Sequence, residues 1–482
     1  MTRQWRRGSG RGAGRRTGRV VLAGAAALCV VAVLPGQAWA AGAPGSYAYA
    51  FQPGAERVSG AGTTSEAKGL ESGATYRDAI KPGGKLFYRV DLDAKTNAYV
   101  SAVAVPVPGT KVAFGDKIEV SLQSRDGTDC SSDSESFGSG EFARPIAAYA
   151  FRESGKADYA SCQDAGSYYV VIERTSDEAS DPAPWELEIR DVLEPGLRKA
   201  GPTEAPTNWP SASPEPLTDN PAPRAGGAGF YDAAELRKGQ WSAKIKPGES
   251  LFYRVPVDWG QQVFTSVDLG SSDGSGFVGS ALSMALYNPA LGLVDSGNSV
   301  LYDGKQKTTS IPPLPPVAYE NRFDFSDAQR GMRFAGSYYL RISLSPKVGE
   351  VFGEKAYGLT LQVNVSGSPK GGPAYAGDPG IFDVSGHGLL GPGGAGGAGG
   401  TGGGAGDGTG GGGVDGVSDD TLRLVAVSGI GAGTVLVLGL GAWTLLARRR
   451  GGRGAGGPQG PGGPRGSGGP QGPGQYGPPS AW

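Results

Sequence analysis

Histidine is almost absent from this chain of 482 residues, since the only one, His387, lies in the glycine-rich stretch Ser385-Gly-His-Gly388. A Ser-His-Asp triad needs an imidazole held in a packed site, and a histidine zinc site needs several such ligands. We therefore predict no catalytic residue and no cofactor. A hydrolase that uses two carboxylates stays open as an alternative, because a pair of acids suffices for that chemistry.

Cysteine is nearly as scarce, with three residues in the chain. Cys29 lies in an N-terminal segment that we expect to be removed, which leaves Cys130 and Cys162. An even pair in an exported chain is typical of a disulfide. A closed loop of about 30 residues would contribute roughly 3–4 kcal/mol to stability. The second half of the chain has no counterpart of this pair.

The formal net charge of −1 conceals an uneven distribution. Residues 1–19 and 448–482 hold 12 of the 45 basic residues and no acid, which leaves 33 basic against 46 acidic residues and a charge of −13 between them. An acidic ectodomain argues against nucleic acid or free phosphate as the ligand. It is compatible with cations or neutral glycans.

The N-terminus is typical of a secretion signal, which we assign to residues 1–40. Seven arginines between Arg3 and Arg19 precede an apolar run, 20–34, and Ala38-Trp39-Ala40 offers a cleavage site before Ala41. We expect Sec export. The Arg15-Arg16 pair leaves a twin-arginine route open, although the apolar residues expected after such a pair are missing.

The C-terminal region predicts a single membrane-spanning helix, 422–447. Residues 424–447 carry no charge over 24 positions, and Arg448-Arg449-Arg450 follows at once. This length suffices to cross a bilayer, and the arginines are expected on the cytoplasmic side. The chain is therefore predicted to be a single-pass type I cell-membrane protein, with a glycine-rich stalk (368–421) and a disordered, Gly/Pro-rich cytoplasmic tail (448–482).

One domain occurs twice between these ends. The segment Ile80-Lys-Pro-Gly-Gly-Lys-Leu-Phe-Tyr-Arg-Val90 recurs as Ile245-Lys-Pro-Gly-Glu-Ser-Leu-Phe-Tyr-Arg-Val255, and Ala165-Gly-Ser-Tyr-Tyr-Val170 recurs as Ala335-Gly-Ser-Tyr-Tyr-Leu340. Lys-Pro-Gly favours a turn and Leu-Phe-Tyr-Arg-Val a strand. We predict an all-β ectodomain of two tandem sandwiches, 41–200 and 226–367. A stiff proline-rich linker, 201–225, joins them.

Alternating apolar residues predict further strands in both copies. The closing stretches 185–189 and 357–361 alternate with period two, which is typical of a sheet with one face in solvent. By the same alternation, one ring of each Tyr-Tyr pair, 168–169 and 338–339, should pack in the core. The other ring should be exposed, where it can stack on a sugar. The remaining predicted strands are 99–105, 118–123, 263–269 and 282–287.

The two copies resemble the bacterial pre-peptidase C-terminal (PPC-like) domain, a jelly-roll-type β-sandwich. The resemblance covers about 75–195 and 240–366 and rests on four motifs: Phe-Tyr-Arg-Val at 87–90 and 252–255, Leu-Tyr-Asn-Pro at 286–289, Ala-Gly-Ser-Tyr-Tyr at 165–169 and 335–339, and Tyr-x-Leu-x-Leu at 357–361. It implies substrate-binding or maturation modules. The whole chain is similar to membrane-anchored surface proteins of high-GC actinobacteria.

Some PPC-like relatives bind calcium, and two groups of acids here are candidate calcium ligands: Asp126, Asp129 and Asp133 in the first copy, and Asp268 and Asp273 in the second. Carboxylate and carbonyl oxygens suit calcium. Asp-Gly pairs are also ordinary turn sequences. The run of acids that the calcium-binding relatives carry near the start of the domain is missing, so we assign no metal site.

These observations predict a non-catalytic cell-surface protein whose ectodomain binds or scaffolds an envelope protein or a wall polysaccharide. The alternatives are an accessory subunit of a membrane complex, acting through its helix and tail, and a carboxylate-based hydrolase. We expect any specific function where the copies differ, namely the loop between Cys130 and Cys162 and the insert 312–333 of the second copy.

Overall fold

The computed structural model describes residues 47–154 and 162–384. The predicted signal peptide, membrane span, tail and His387 lie outside these residues. Within them, no helix has the length and apolar character needed to cross a membrane. Both copies of the repeat belong to one compact unit of the chain, Met1–Gly397.

The first copy is a sandwich of two five-stranded sheets, in agreement with the predicted all-β class. Sheet I has the strand order β2-β4-β9-β6-β7 and sheet II the order β1-β3-β10-β5-β8. The strands are β1 (Glu56–Arg57), β2 (Lys68–Gly69), β3 (Thr75–Ile80), β4 (Lys85–Leu92), β5 (Asn97–Val105), β6 (Lys117–Gln123), β7 (Asp129–Ser136), β8 (Ile146–Arg152), β9 (Gly166–Thr175) and β10 (Trp185–Glu194).

The second copy repeats this topology strand for strand. Sheet III has the order β12-β14-β19-β16-β17 and sheet IV the order β11-β13-β20-β15-β18. The strands are β11 (Ala222–Pro223), β12 (Ala234–Glu235), β13 (Gly239–Ile245), β14 (Ser250–Val257), β15 (Gln262–Leu269), β16 (Leu282–Tyr287), β17 (Leu293–Ser296), β18 (Lys307–Ser310), β19 (Gly336–Leu344) and β20 (Tyr357–Ser366); the short helices are α1 (Asp327–Arg330) and α2 (Lys347–Phe352).

The strand registers confirm that the two repeated phrases encode framework. Gly166 pairs with Leu92 at one end of the first copy, and Gly336 pairs with Val257 at the same place in the second. The Lys-Pro-Gly turns precede β4 and β14, and their glycines, Gly83 and Gly248, have φ of 65° and 79°. Only glycine adopts such angles at little cost.

The sandwiches pack face to face, so that the sheets stack in the order I, II, III, IV. Every residue of β5 in sheet II and of β19 in sheet III is buried. In β5, Ala98 and Val100 face the core of their own sandwich, whereas Val103 and Val105 pack with Phe252 and Tyr339 of the second sandwich. The two inner sheets are therefore buried on both faces.

This packing corrects two predictions about solvent exposure. The outer face of β20 is partly exposed, as predicted, but in β10 the outward Glu188, Arg190 and Glu194 are all buried. Likewise Tyr168 is buried, as predicted, but Tyr169 is half-buried where exposure was predicted, and Tyr338 and Tyr339 are both buried. The alternation of apolar and polar residues reflects the packing of a single sandwich. The strand faces that this alternation predicted to lie in solvent are covered by the other sandwich.

Four charged side chains cross this interface as buried ion pairs. Arg322 and Arg333 come from the insert of the second sandwich, and Glu153 and Glu194 from the first. Nη2 of Arg322 lies 2.9 Å from Oε1 of Glu194, and Nη1 of Arg333 lies 3.1 Å from Oε1 of Glu153. None of the four side chains is more than 3% exposed. Burial by itself lowers the pKa of Arg322, but the charges of its neighbours, Glu194 first among them, together outweigh burial and raise the pKa.

A further ion pair crosses the interface between Arg341 in β19 and Glu135 in β7. Nη2 of Arg341 lies 2.9 Å from Oε1 of Glu135, and the Tyr287 hydroxyl donates to Oε2 of Glu135 at 2.7 Å. The strand registers place Val171 and Gln123 of the first copy at the positions of Arg341 and Tyr287. The second copy therefore carries the residues that bind Glu135, and the corresponding face of the first copy does not.

The disulfide predicted between Cys130 and Cys162 is present, with its Cα atoms 5.7 Å apart. The loop that it closes contains Glu135, Tyr149 and Glu153, three of the groups that contact the second sandwich. Tyr149 accepts a hydrogen bond of 2.6 Å from Nη2 of Arg333. The copy-specific disulfide loop and the copy-specific insert thus meet at the interface.

The proline-rich segment between the sandwiches lies against the second sandwich and is not a free spacer. Its residues 201–221 form no helix or strand. The Gln240 side chain donates to the carbonyl oxygens of Leu217 and Asp219 at 2.8 Å each, and that of Gln262 donates to Pro210 at 2.8 Å. These bonds satisfy carbonyls of a segment whose prolines cannot donate to a sheet.

Replacing Glu194 by glutamine should destabilise the protein, because Arg322 would keep its charge in a buried site while losing the carboxylate nearest to it. We expect a loss of about 3–5 kcal/mol in the free energy of unfolding, measured by urea denaturation. The matched control is Glu173→Gln, which breaks the Lys85 pair with both side chains 44% exposed and should cost less than about 1 kcal/mol. Equal losses in the two variants would contradict the importance of the buried pair.

Asp191 should make stability depend on pH. It is 1% exposed, accepts one hydrogen bond from Ser72, and burial raises its pKa to about 6. A carboxyl whose pKa is higher folded than unfolded stabilises the protein at low pH, and that contribution disappears as the pH rises through 6. Asp191→Asn should therefore be more stable than the parent at pH 7.5, by up to about 3 kcal/mol, and equal to it near pH 4.

Urea midpoints at the two pH values test this expectation. The exposed Asp219 supplies the control, since Asp219→Asn should shift neither midpoint. A pH-independent difference for Asp191→Asn would show that the carboxyl titrates normally in the folded protein.

Candidate functional site

A groove of about 490 Å³ lies on the second sandwich, where four chain segments meet. They are the linker (197–210), the turn after β14 (258–260), the first part of the insert (315–321) and the segment after β20 (370–374). No two of these segments are neighbours in the sequence.

The turn after β14 places Trp259 at the groove. The backbone N–H of Trp259 donates to the Asp258 side chain at 2.7 Å, and Gly260 follows with φ of 75°. The Trp259 carbonyl accepts from the N–H of Lys370 at 2.8 Å. A Cβ at Gly372 would lie 2.4 Å from Nε1 of Trp259, so that glycine is required for the close approach of the backbone to the indole.

The insert is held against the same turn. The N–H of Gly260 donates to the Val317 carbonyl at 2.7 Å, and the N–H of Val317 donates to Gln261 at 2.8 Å. The side chain of Asn321 donates to the carbonyls of Pro316 and Met332 at 2.9 Å each. The next residue, Arg322, is the buried interface cation, so the insert is fixed at both the groove and the interface.

Aromatic rings and a few polar side chains line the groove. Trp209 is half-buried and Trp259 is 8% exposed, and neither indole N–H donates a hydrogen bond to a described residue. The Arg322 guanidinium lies 3.4 Å from the centre of the Tyr319 ring. Burial raises the pKa of Tyr319 to about 12, so its hydroxyl stays protonated at neutral pH. The charged and amide side chains along the groove are Lys199, Asn208, Glu320, Asn321 and Lys370.

The structure does not gather the predicted calcium candidates into one site. Asp126 accepts from Ser124 and Thr128, and Asp129 accepts from Gln123 at 2.9 Å. Asp133 lies further along β7, and burial raises its pKa to about 7. Asp268 in β15 accepts from Thr308, and Asp273 is exposed in the following loop. Among the described residues, no three acidic, histidine or cysteine side chains are grouped to hold a metal.

Glu153 and Glu194 lie near enough to each other to be considered as a carboxylate pair, because the Tyr99 hydroxyl lies within hydrogen-bonding distance of both carboxylates, at 3.1 and 2.9 Å. Hydrolysis by two carboxylates requires access for the substrate and a free acid. These two side chains are at most 2% exposed, and arginines neutralise them. This pair therefore stabilises the interface and does not meet the requirements for hydrolysis.

Sequence reasoning did not find the groove. The reason is that nothing in the sequence shows that the linker folds back on the second sandwich, which brings Trp209 next to Trp259. One signal was available, namely the insert 312–333, which is absent from the first copy and which contributes residues 315–321 to the groove.

Two solved structures illustrate the similarity to known proteins. The CUB1-EGF-CUB2 domain of human MASP-1/3 has 6% identity and a TM-score of 0.15, covering 60% of this chain and 99% of its own. The tandem CBM22-1–CBM22-2 domain of Xyn10C from Paenibacillus barcinonensis has 11% identity and a TM-score of 0.16, covering 64% of this chain and 90% of its own. At these TM-scores the similarity carries no argument about function. No family model and no curated protein matches the sequence.

Proposed function

We propose that this protein is a non-catalytic, membrane-anchored surface protein that binds an extracellular polysaccharide in the groove of its second sandwich. The observation that carries the proposal is the half-buried Trp209 in the lining of the groove, whose indole N–H donates to no described residue, next to the mostly buried Trp259. Flat aromatic faces suit the C–H faces of sugar rings, and unpaired donors suit their hydroxyls.

The charge content of the groove favours binding over hydrolysis. Glu320 is the one carboxylate among its described lining residues, so a mechanism with two carboxylates has no second member there.

The same proposal includes the PPC-like and jelly-roll assignments, export through a signal peptide and the anchor at 422–447. They support it because sandwich modules of that family look like substrate-binding units, and a stalk would hold the groove away from a membrane.

Replacing Trp209 by alanine should weaken binding to wall polysaccharide by at least about tenfold, because a buried aromatic contact is commonly worth more than 1.4 kcal/mol. Trp209 lies in a segment without strands, so we expect the fold to survive. Binding is measured by co-sedimentation of the purified protein with insoluble wall polysaccharide.

The matched control is Phe277→Ala, which removes a 75% exposed aromatic side chain outside the groove and should leave binding unchanged. Failure of the parent protein to bind any wall polysaccharide would contradict the proposal. Equal binding by the parent and Trp209→Ala would place the ligand elsewhere.

A further inference from the structure

We infer that the groove selects acidic polysaccharides, those that carry carboxylate or phosphodiester groups, and that Lys199 and Lys370 determine this selectivity. The inference rests on the proposed function and adds a class of ligand to it. It reverses the expectation from net charge, because the chain outside its two basic ends has a formal charge of −13.

The local charge of the groove is opposite to that of the ectodomain. Lys199 and Lys370 are both exposed, and neither forms an ion pair with a described carboxylate. Against them the lining contains one acid, Glu320. A concave site with an excess of one charge concentrates ligands of the opposite charge, and here that excess is positive.

The fold brings the two lysines to the groove from separate segments. Leu197 pairs with Tyr375 as an antiparallel bridge, and the N–H of Arg198 donates to Ala374 at 2.8 Å, which places Lys199 beside the segment that also carries Lys370. The stem of Lys370 lies over the turn at Gly260, where an added Cβ would be 2.7 Å from it. An alkyl stem packed in this way leaves its ammonium at the solvent end.

The same lining favours a glycan over an acidic peptide. Trp209 provides a partly exposed aromatic ring, and the side chains of Asn208 and Glu320 offer the mixed donors and acceptors that sugar hydroxyls require. An acidic peptide such as poly-glutamate would use the lysines equally well but lacks the flat C–H face of a sugar ring that stacks on an indole. We therefore assign the lysines to the charged groups of a sugar polymer.

The test compares four polymers with the full-length protein in detergent: polygalacturonate for carboxylate, teichoic acid for phosphodiester, xylan as a neutral polysaccharide and poly-glutamate as an acidic peptide. We expect an acidic polysaccharide to bind at least about tenfold more tightly than xylan, with an affinity that falls as salt rises. Polygalacturonate and teichoic acid show which anionic group is preferred. The double variant Lys199→Gln/Lys370→Gln should weaken that binding by about tenfold and remove most of its salt dependence.

The control is Lys305→Gln/Lys355→Gln, which makes the same change in net charge at two exposed lysines outside the groove lining and should leave the affinity unchanged. Equal affinity for xylan and the acidic polysaccharides, unaffected by the Lys199 and Lys370 changes, would overturn the inference. The proposed function would survive that result if Trp209→Ala still weakened binding by at least about tenfold. Tighter binding of poly-glutamate than of the acidic polysaccharides would overturn the inference in favour of a peptide ligand. If no polysaccharide binds, both the inference and the proposed function are overturned.

Discussion

The structure depends on charges that are buried between two copies of the same fold. Arg322 and Arg333 leave the second sandwich and neutralise Glu194 and Glu153 of the first, all out of contact with water. An ion in such a place is tolerable only when its partner is in hydrogen-bonding position. The requirement fixes the path of the insert, and the insert in turn fixes one wall of the groove.

The interface also shows how a duplicated domain becomes a single unit. The first sandwich contributes sheet II together with Glu135 of β7 in sheet I, and the second contributes sheet III, so the two copies use different surfaces and the contact is heterologous. The residues that form this contact have diverged between the copies. Where Arg341 and Tyr287 bind Glu135, the first copy has Val171 and Gln123, and where Glu194 binds Arg322, the second copy has Ser366.

The local charge of the groove is opposite in sign to the net charge of the chain between its two basic ends. Net charge counts residues wherever they lie, and residues 20–447 together carry a formal charge of −13, which by itself disfavours anions. The fold places Lys199 and Lys370 at one groove with a single acid, Glu320. Interactions between exposed charges are largely screened beyond roughly 8 Å at physiological salt. The electrostatic character of the groove is therefore set by these few side chains more than by distant acids.

The sequence by itself determined the all-β class, the duplication, the strands that carry the repeated phrases and the Cys130–Cys162 disulfide. These features follow from side-chain alternation, turn chemistry and cysteine parity, which act over a few residues or need only two positions. Tertiary structure alone decided that Glu188, Arg190 and Tyr339 are buried, that the linker lies on the second sandwich, and that Trp209 and Trp259 share a groove. The physical reason is that an alternating pattern records which face of a strand is apolar or polar. Which surface later covers that face depends on contacts between residues more than 100 positions apart, such as Glu194 with Arg322.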